Sequence, residues 1–313
     1  MPLNPPPHET PPMPLLDIVG AMSTHAASAA VRLGVFDALP GTAPDLAKML
    51  GADEEGLTLL LDLLVTTGYL TRDDDVFAAS PGWVSAGYGT PLVLWSSILG
   101  EFWKDLFDGV STGRPRADFY RWLSGRPDEL AVFHQLQSGL AGWLAEEVVG
   151  LIPMTPGRLA DVGGGHGVFA KAFVDATPGL DAVVVDLPGT PSALPLVEAD
   201  LSEPLTLEGY DHVLLFNVVH GFSRERARGL VREAVASGAD VHILETTTTP
   251  RGGVADQAFT EGFALNLWLT QGGRLYTADE LEAWLREAGA ADVTRTDLTR
   301  SPTHTLITAR STS

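Results

Sequence analysis

The segment DVGGGHGVF, Asp161 to Phe169, constrains this chain more than any other. It follows the short apolar run Leu159–Val162, which predicts a buried strand, and it opens a stretch of helical spacing. Gly163, Gly165 and Gly167 fall at alternate positions. Glycines there let the chain turn sharply and let its backbone approach a ligand without a Cβ in the way. Nineteen residues after Gly167 a second apolar run closes in VVVDLP, which places Asp186 at the tip of the next strand. An acid at that tip can accept hydrogen bonds from ribose hydroxyls. Strand, glycine loop, helix, strand and acid together predict a nucleoside-bearing ligand at the carboxyl edge of a parallel sheet.

Two details narrow the ligand. The spacing is G-x-G-x-G, not the G-x-G-x-x-G of dinucleotide-binding loops. Asp161 also stands two residues before Gly163, where a carboxylate sits awkwardly beside a pyrophosphate but suits a cation. S-adenosylmethionine carries both a sulfonium and an ammonium, so it fits better than a nicotinamide dinucleotide. A glycine-rich turn with no ligand is the bland alternative. The agreement of spacing, context and Asp186 weighs against it.

Two more apolar runs, His212–Phe216 and Val241–Leu244, alternate with helical stretches such as 223–236. Residues 151–313 are therefore expected to form a doubly wound, Rossmann-like α/β domain. Residues 15–150 read as mostly helical. Two short helices are expected at 43–50 and 54–68, with Pro44 in a first turn and Gly51 and Gly68 as stops. A hairpin around Asp73–Asp75 follows, giving a winged-helix-like order. Residues 91–150 are rich in large aromatics. Most belong to a core or subunit interface, while Trp103 and Phe107 are candidates for lining an apolar substrate pocket. Residues 1–14 form a proline-rich extended tail.

The net charge of -20 argues against nucleic acid and anionic membranes as partners, since both would be repelled. Winged helices often bind DNA, yet residues 43–75 carry only Lys48 and Arg72 as cations among many acids. The absence of cysteine excludes disulfides, thiolate catalysis and Cys-ligated metals. No His and carboxylate pattern has clear metal-ligand spacing, so no metal is expected. The N-terminus lacks the basic and apolar regions of a signal peptide, and no apolar run is long enough for a membrane span. A cytoplasmic protein is the expectation.

DVGGGHG with VVVDLP resembles the S-adenosylmethionine-dependent small-molecule O-methyltransferases of plants and bacteria, which carry a helical N-terminal dimerisation domain. AVRLGVFDAL (30–39), LFNVVHGF (215–222), HILETTTTP (242–250) and LTQGGRLYTADELEAWLREAGA (269–290) extend the likeness over most of the chain. The resemblance implies that Asp161, Gly163, Gly165 and Asp186 hold the cofactor, with Asp200 beside its adenine. It implies a homodimer, a division into a dimerisation and lid half (15–150) and a cofactor-binding half (151–313), and His220 as general base.

Three departures stand out. His220-Gly221-Phe222 replaces the family's His-Asp-Trp. Leu275 in GGRLYT replaces a carboxylate. Only thirteen residues separate Asp186 from Asp200, too few for a helix plus a strand, so a loop is expected to form the adenine wall. Glu245 matches an acid that flanks the histidine. On the helix expected around 263–268, Phe263 and Asn266 are candidates for acceptor contact, Asn266 because an amide on an apolar face needs a partner. His220 as a merely satisfied strand-end histidine is the rival reading.

Because a sulfonium methyl is strongly electrophilic, placement and water exclusion are the main demands on the enzyme. Three functions follow. Methyl transfer to oxygen of a small, largely apolar acceptor, with His220 as base, is preferred. Transfer to carbon or nitrogen in the same pocket is the second. A cofactor-binding scaffold turned to other chemistry is the third.

Overall fold

Elements are numbered in chain order in a computed structural model that describes residues 14–86 and 89–311. They run α1 (Pro14–Leu33), α2 (Val35–Ala38), β1 (Gly41–Thr42), α3 (Ala43–Leu50), α4 (Glu54–Thr66), β2 (Leu70–Asp73), β3 (Val76–Ala79), α5 (Pro81–Ala86) and α6 (Gly89–Glu101). After a 3₁₀ turn at Trp103–Asp105 come α7 (Leu106–Thr112), α8 (Phe119–Ser124) and α9 (Pro127–Leu151). Then follow β4 (Gly157–Val162), α10 (Val168–Ala176), β5 (Leu180–Asp186), β6 (Leu196–Glu198) and β7 (His212–Phe216). A second 3₁₀ turn, Val219–Gly221, leads to α11 (Arg224–Ala236), β8 (Asp240–Thr246), α12 (Val254–Gln271), α13 (Ala278–Glu287), β9 (Ala291–Asp297) and β10 (His304–Arg310). The proline-rich tail lies outside the described residues except for Pro14, which opens α1.

The contacts divide the chain into two units. Among the described residues, one comprises 14–104 and 123–136, the other 105–122 and 137–311. Segments 105–122 and 137–150 thus pack with the sheet that follows them.

In the first unit, local chemistry sets the element ends. Thr42 caps α3 by accepting from the Asp45 amide, and Pro44 fills the first turn. Gly51 ends that helix at φ 64°, a left-handed conformation costly for a side chain. Asp53 caps α4. The β2–β3 hairpin forms as expected and takes β1 as a third strand, so helix, helix and wing follow in winged-helix order. Leu46, Leu57, Leu61, Leu64 and Phe77 form its core with Ala27 and Ala30 of α1. The other face of α1 leaves Leu15, Leu16, Ile18 and Met22 exposed.

The second unit is a seven-stranded sheet of order β6-β5-β4-β7-β8-β10-β9. Strands β4 to β8 are parallel, and β10 runs antiparallel to both neighbours. Side chains alternate between the two faces, as strand geometry requires. Leu159, Ala182, Leu214 and Leu306 meet Leu144 and Val148 of α9 and Phe169 and Phe173 of α10. Ala160, Val162, Val213, Ile243 and Ile307 meet Ala227 and Val231 of α11 and Leu281 and Trp284 of α13. This is the doubly wound fold. Chain order reverses between β4 and β7, and ligands bind at such a switch point, outside the carboxyl ends of the strands. The short span before Asp200 forms no helix, but it is more than the expected loop. Leu196–Glu198 still pairs with Val184–Asp186 as a three-residue edge strand.

Two histidines lie buried toward the opposite edge, His212 opening β7 and His242 on β8. Their rings stack with centroids 6.1 Å apart. Burial, and secondarily the facing His212, push the pKa of His242 down to about 3. The unfolded chain takes up that proton near the ordinary value of about 6.5. Stability is therefore complete above about pH 6.5. The contribution of His242 falls as pH drops toward 3, at up to about 1.4 kcal/mol per pH unit for one such proton. Urea unfolding at pH 7 and pH 5 should show this loss, and His242→Gln should reduce the difference between the two pH values.

Candidate active site

Asp161 ends up beneath its own glycine loop. It lies on β4 with its side chain buried, and neither carboxylate oxygen has a hydrogen-bond partner among the described residues. A Cβ built on Gly164 would stand 2.4 Å from the carboxyl carbon, so only glycine fits over it. Burial first, and the charge of Asp186 in addition, raise the Asp161 pKa to about 7. The Ala170 amide offsets this in part without closing a hydrogen bond. A buried carboxylate with no partner is costly and therefore uncommon. It is suited to a cationic ligand group arriving from outside.

The loop above it is open. Gly163 turns at φ 71° with Val218 packed where its Cβ would be. Gly165, at φ 55°, has no atom within 4 Å of its Cβ position. Its amide donates to Asp186 Oδ2 at 2.9 Å, and Leu187 N donates to Oδ1 at 2.7 Å. Asp186 thus stands at the loop, held by backbone amides. Asp200 is exposed and accepts from the amide and hydroxyl of Ser202, which hold its pKa down.

At the ends of β7 and β8 stands the other half of the site. Glu245 is buried, and its Oε1 accepts from the amides of Val218 (2.9 Å), Val219 (2.6 Å) and His220 (3.4 Å). Its Oε2 lies 2.5 Å from Nδ1 of His220. One carboxylate thus caps the 3₁₀ turn and fixes the imidazole on it. The bond at Nδ1 sets the tautomer, leaving Nε2 as a proton acceptor. His220 is 14% exposed, and Nε2 has no partner among the described residues.

The two substituted positions are occupied differently from the family pattern. Gly221 offers no side chain, and a Cβ there would meet Gln271 Oε1 at 3.1 Å. That oxygen is buried without a partner among the described residues. Leu275 is buried. The segment before it braces His220 through its backbone instead. Arg274 N donates to His220 O at 2.9 Å, and Gly273 lies so close that a Cβ would collide with that carbonyl.

On α12, Phe263 meets the His220 ring edge-to-face at 5.8 Å and stacks on Phe259 at 5.8 Å. Asn266 is buried. Phe107, on α7, is 79% exposed, and its helix runs so close to α12 that a Cβ on Gly109 would lie 3.5 Å from Trp268 and Leu269. Trp103 belongs to the other unit. Sequence reasoning missed Gly164, although three consecutive glycines signalled it. It also missed Gly273, for which the GG pair was the only sign.

Residues 17–88 match the profile of the O-methyltransferase dimerisation domain, and residues 103–291 match that of the O-methyltransferase domain. This chain belongs to the S-adenosylmethionine-dependent O-methyltransferase family that carries an N-terminal dimerisation domain. It is similar to the O-methyltransferase SfmM3 of Streptomyces lavendulae, at 28% identity over 85% of this chain and 90% of the relative. It is also similar to a 3-hydroxy-5-methyl-1-naphthoate 3-O-methyltransferase of Streptomyces sahachiroi, at 26% identity over 92% of both chains. The solved structure of PigF with SAH shares the fold, with a TM-score of 0.82 and 21% identity over 95% of this chain and 98% of that one.

The residues fit the family's cofactor. Asp161, whose oxygens lack a partner among the described residues, would offer its carboxylate to a cationic group, Gly165 would offer open backbone, and Asp186 would offer a carboxylate to ribose. Cofactor affinity should therefore weaken below pH 7, where Asp161 holds a proton that a cation must displace. Asp161→Asn should flatten that pH dependence and weaken binding by about 1–3 kcal/mol. Gly164→Ala should weaken it as well, by displacing the carboxylate. Calorimetry with S-adenosylmethionine between pH 6 and pH 8 measures all three.

Proposed function

We propose that this methyltransferase methylates a hydroxyl on a small, largely apolar aromatic or enolic acceptor, with His220 as general base and Glu245 holding it. The short His220–Glu245 pair carries this reading. The aromatic pair Phe259 and Phe263 beside the imidazole suits a flat, apolar acceptor. The relative that methylates a hydroxynaphthoate has an acceptor of that kind.

The reaction asks little of the protein beyond placement and one proton. When bound, S-adenosylmethionine supplies a sulfonium methyl, whose C–S bond breaks as the bond to the acceptor oxygen forms. His220 Nε2 takes the acceptor's hydroxyl proton. Glu245 balances the imidazolium that results and keeps the ring from turning. His220 then returns the proton to water, and the products are a methyl ether and S-adenosylhomocysteine. On the cofactor side, Asp161 receives the ammonium or sulfonium charge, Asp186 the ribose hydroxyls, and Asp200 the adenine edge. Gly163 and Gly165 keep the backbone low enough for close approach. Asn266 and Phe263 on α12, together with Phe107 on α7, are assigned to the acceptor.

A second reading is transfer to nitrogen or carbon. Gly221 and Leu275 favour it, since they leave His220 with one carboxylate and a weaker demand on the acceptor is then an advantage. Residues 17–88 serve in this proposal as the dimerising part. The exposed row Leu15, Ile18 and Met22 on α1, of which Ile18 and Met22 lie within the matched dimerisation domain, supports a homodimer. No helix of the described residues is long and apolar enough to cross a membrane.

A panel of phenols, enols and amines, with S-adenosylhomocysteine as readout, tests the reaction and separates oxygen from nitrogen acceptors. His220→Ala should lower turnover of a phenol by about 10²- to 10⁴-fold with cofactor affinity unchanged. The loss should shrink as pH nears the acceptor's own pKa. Full turnover in the variant at every pH would remove the base role. Light scattering should show a dimer at micromolar concentration, and Ile18→Glu should shift it toward monomer.

A further inference from the structure

A second buried histidine stands behind the His220 turn, unused by the scheme above. His304 opens β10, directly across from Thr246 of β8, with Thr305 opposite Glu245. Its Nδ1 lies 2.8 Å from Ser301 Oγ and 3.2 Å from Thr303 Oγ1. Its Nε2 lies 3.1 Å from Asn217 Oδ1, with Thr246 Oγ1 at 3.4 Å. The Asn217 oxygen is a carbonyl and can only accept. Nε2 therefore carries the ring proton and donates it to Asn217, while Nδ1 accepts from the Ser301 hydroxyl.

Asn217 is the residue at which the chain leaves β7. Its φ is 52°, in the left-handed region that only glycine, asparagine and aspartate visit at low cost. Its amide donates to Leu244 O at 2.8 Å. The next three amides, of Val218, Val219 and His220, converge on Glu245 Oε1. The turn carrying His220 thus has two anchors. One is the Glu245 carboxylate on β8. The other is the Asn217 side chain, held from β10 by His304.

We propose that His304 is a positioning residue for His220, its neutral ring gripping Asn217 and so fixing the left-handed turn that aims His220 at Glu245. The proposal concerns where His220 stands. It rests on the reading of His220 as base only for its consequence in turnover. The charged groups around His304 fit a ring that stays neutral. Arg251 donates to its backbone carbonyl at 3.3 Å and pairs with Asp297 at 2.8 Å. Asp297 in turn accepts from Thr305 Oγ1. Glu245 is engaged with the turn and the His220 ring. Burial first, then the nearby His220 and Arg251, lower the His304 pKa to about 4. When His220 takes up a proton, His304 does not compete for one and Asn217 keeps its donor.

The test is nuclear magnetic resonance of the ¹⁵N-histidine-labelled full chain, which needs no acceptor. The readouts are the His220 tautomer and the solvent exchange of its Nδ1 proton. His304→Leu removes the donor. His304→Gln keeps an N–H donor. Asn217→Gly keeps the left-handed turn but removes the acceptor. His304→Leu and Asn217→Gly should each raise exchange of the His220 Nδ1 proton by about tenfold, the equivalent of one hydrogen bond. His304→Gln should restore most of the protection, and the double variant His304→Leu/Asn217→Gly should exchange no faster than either single one. Unchanged exchange in a folded His304→Leu protein overturns the proposal, as does equal damage from Gln and Leu or additive effects in the double variant. If His304→Leu does not fold, unchanged exchange in Asn217→Gly overturns it. A wrong assignment of the base would show in His220→Ala turnover and would leave these readouts as they are.

Discussion

The Glu245 carboxylate organises the reactive end of this molecule. A buried carboxylate is strongly disfavoured unless its oxygens are fully engaged. Here one oxygen gathers three backbone amides and the other holds the His220 ring. That requirement leaves the chain little choice after β7. It must turn so that Val218, Val219 and His220 present their amides to one point. Because β8 lies between β7 and β10, the residue that makes this demand sits in the middle of the sheet, where its own position is set by ladders on both sides.

Asp161 is the opposite case. It is as buried as Glu245, but its oxygens have no hydrogen-bond partner among the described residues. Polar networks that are satisfied from within become rigid, while one left open carries an unmet electrostatic demand. The two carboxylates therefore divide the site. Glu245 consumes its charge in holding the protein's own groups. Asp161 has no such internal use for its charge among the described residues, and burial together with Asp186 raises its pKa to about 7. Both lie at the carboxyl ends of parallel strands, near the point where strand order reverses.

The departures from the family pattern acquire a different weight in the structure. By side chain, Gly221 and Leu275 remove two acids from around His220. By backbone, the same stretch supports it. The Arg274 amide holds the His220 carbonyl, and Gly273 permits contact so close that no side chain could occupy it. What the histidine loses is charge nearby, while its placement is retained. That combination suits a reaction whose main demands are orientation and the exclusion of water.

The sequence by itself determined everything that depends on neighbours along the chain. The glycine loop, Asp186 at the tip of its strand, the capped helices α3 and α4 and the β2–β3 hairpin are each specified within a few residues. Their propensities and periodicities act locally. The pairing of His220 with Glu245 was legible only because a family resemblance aligned two strand ends. Tertiary structure alone decided the rest. Asn217 and His304 are 87 residues apart, and nothing in either segment marks the other. The Gly273 contact with His220 likewise joins α12's exit to the end of β7. Among the aromatics, Phe102 is fully buried and Phe107 largely exposed, though both fit the same apolar, helical pattern. Side-chain type and spacing record which face of an element is apolar. Which distant group meets that face is fixed only when the strands pair and the helices close over them.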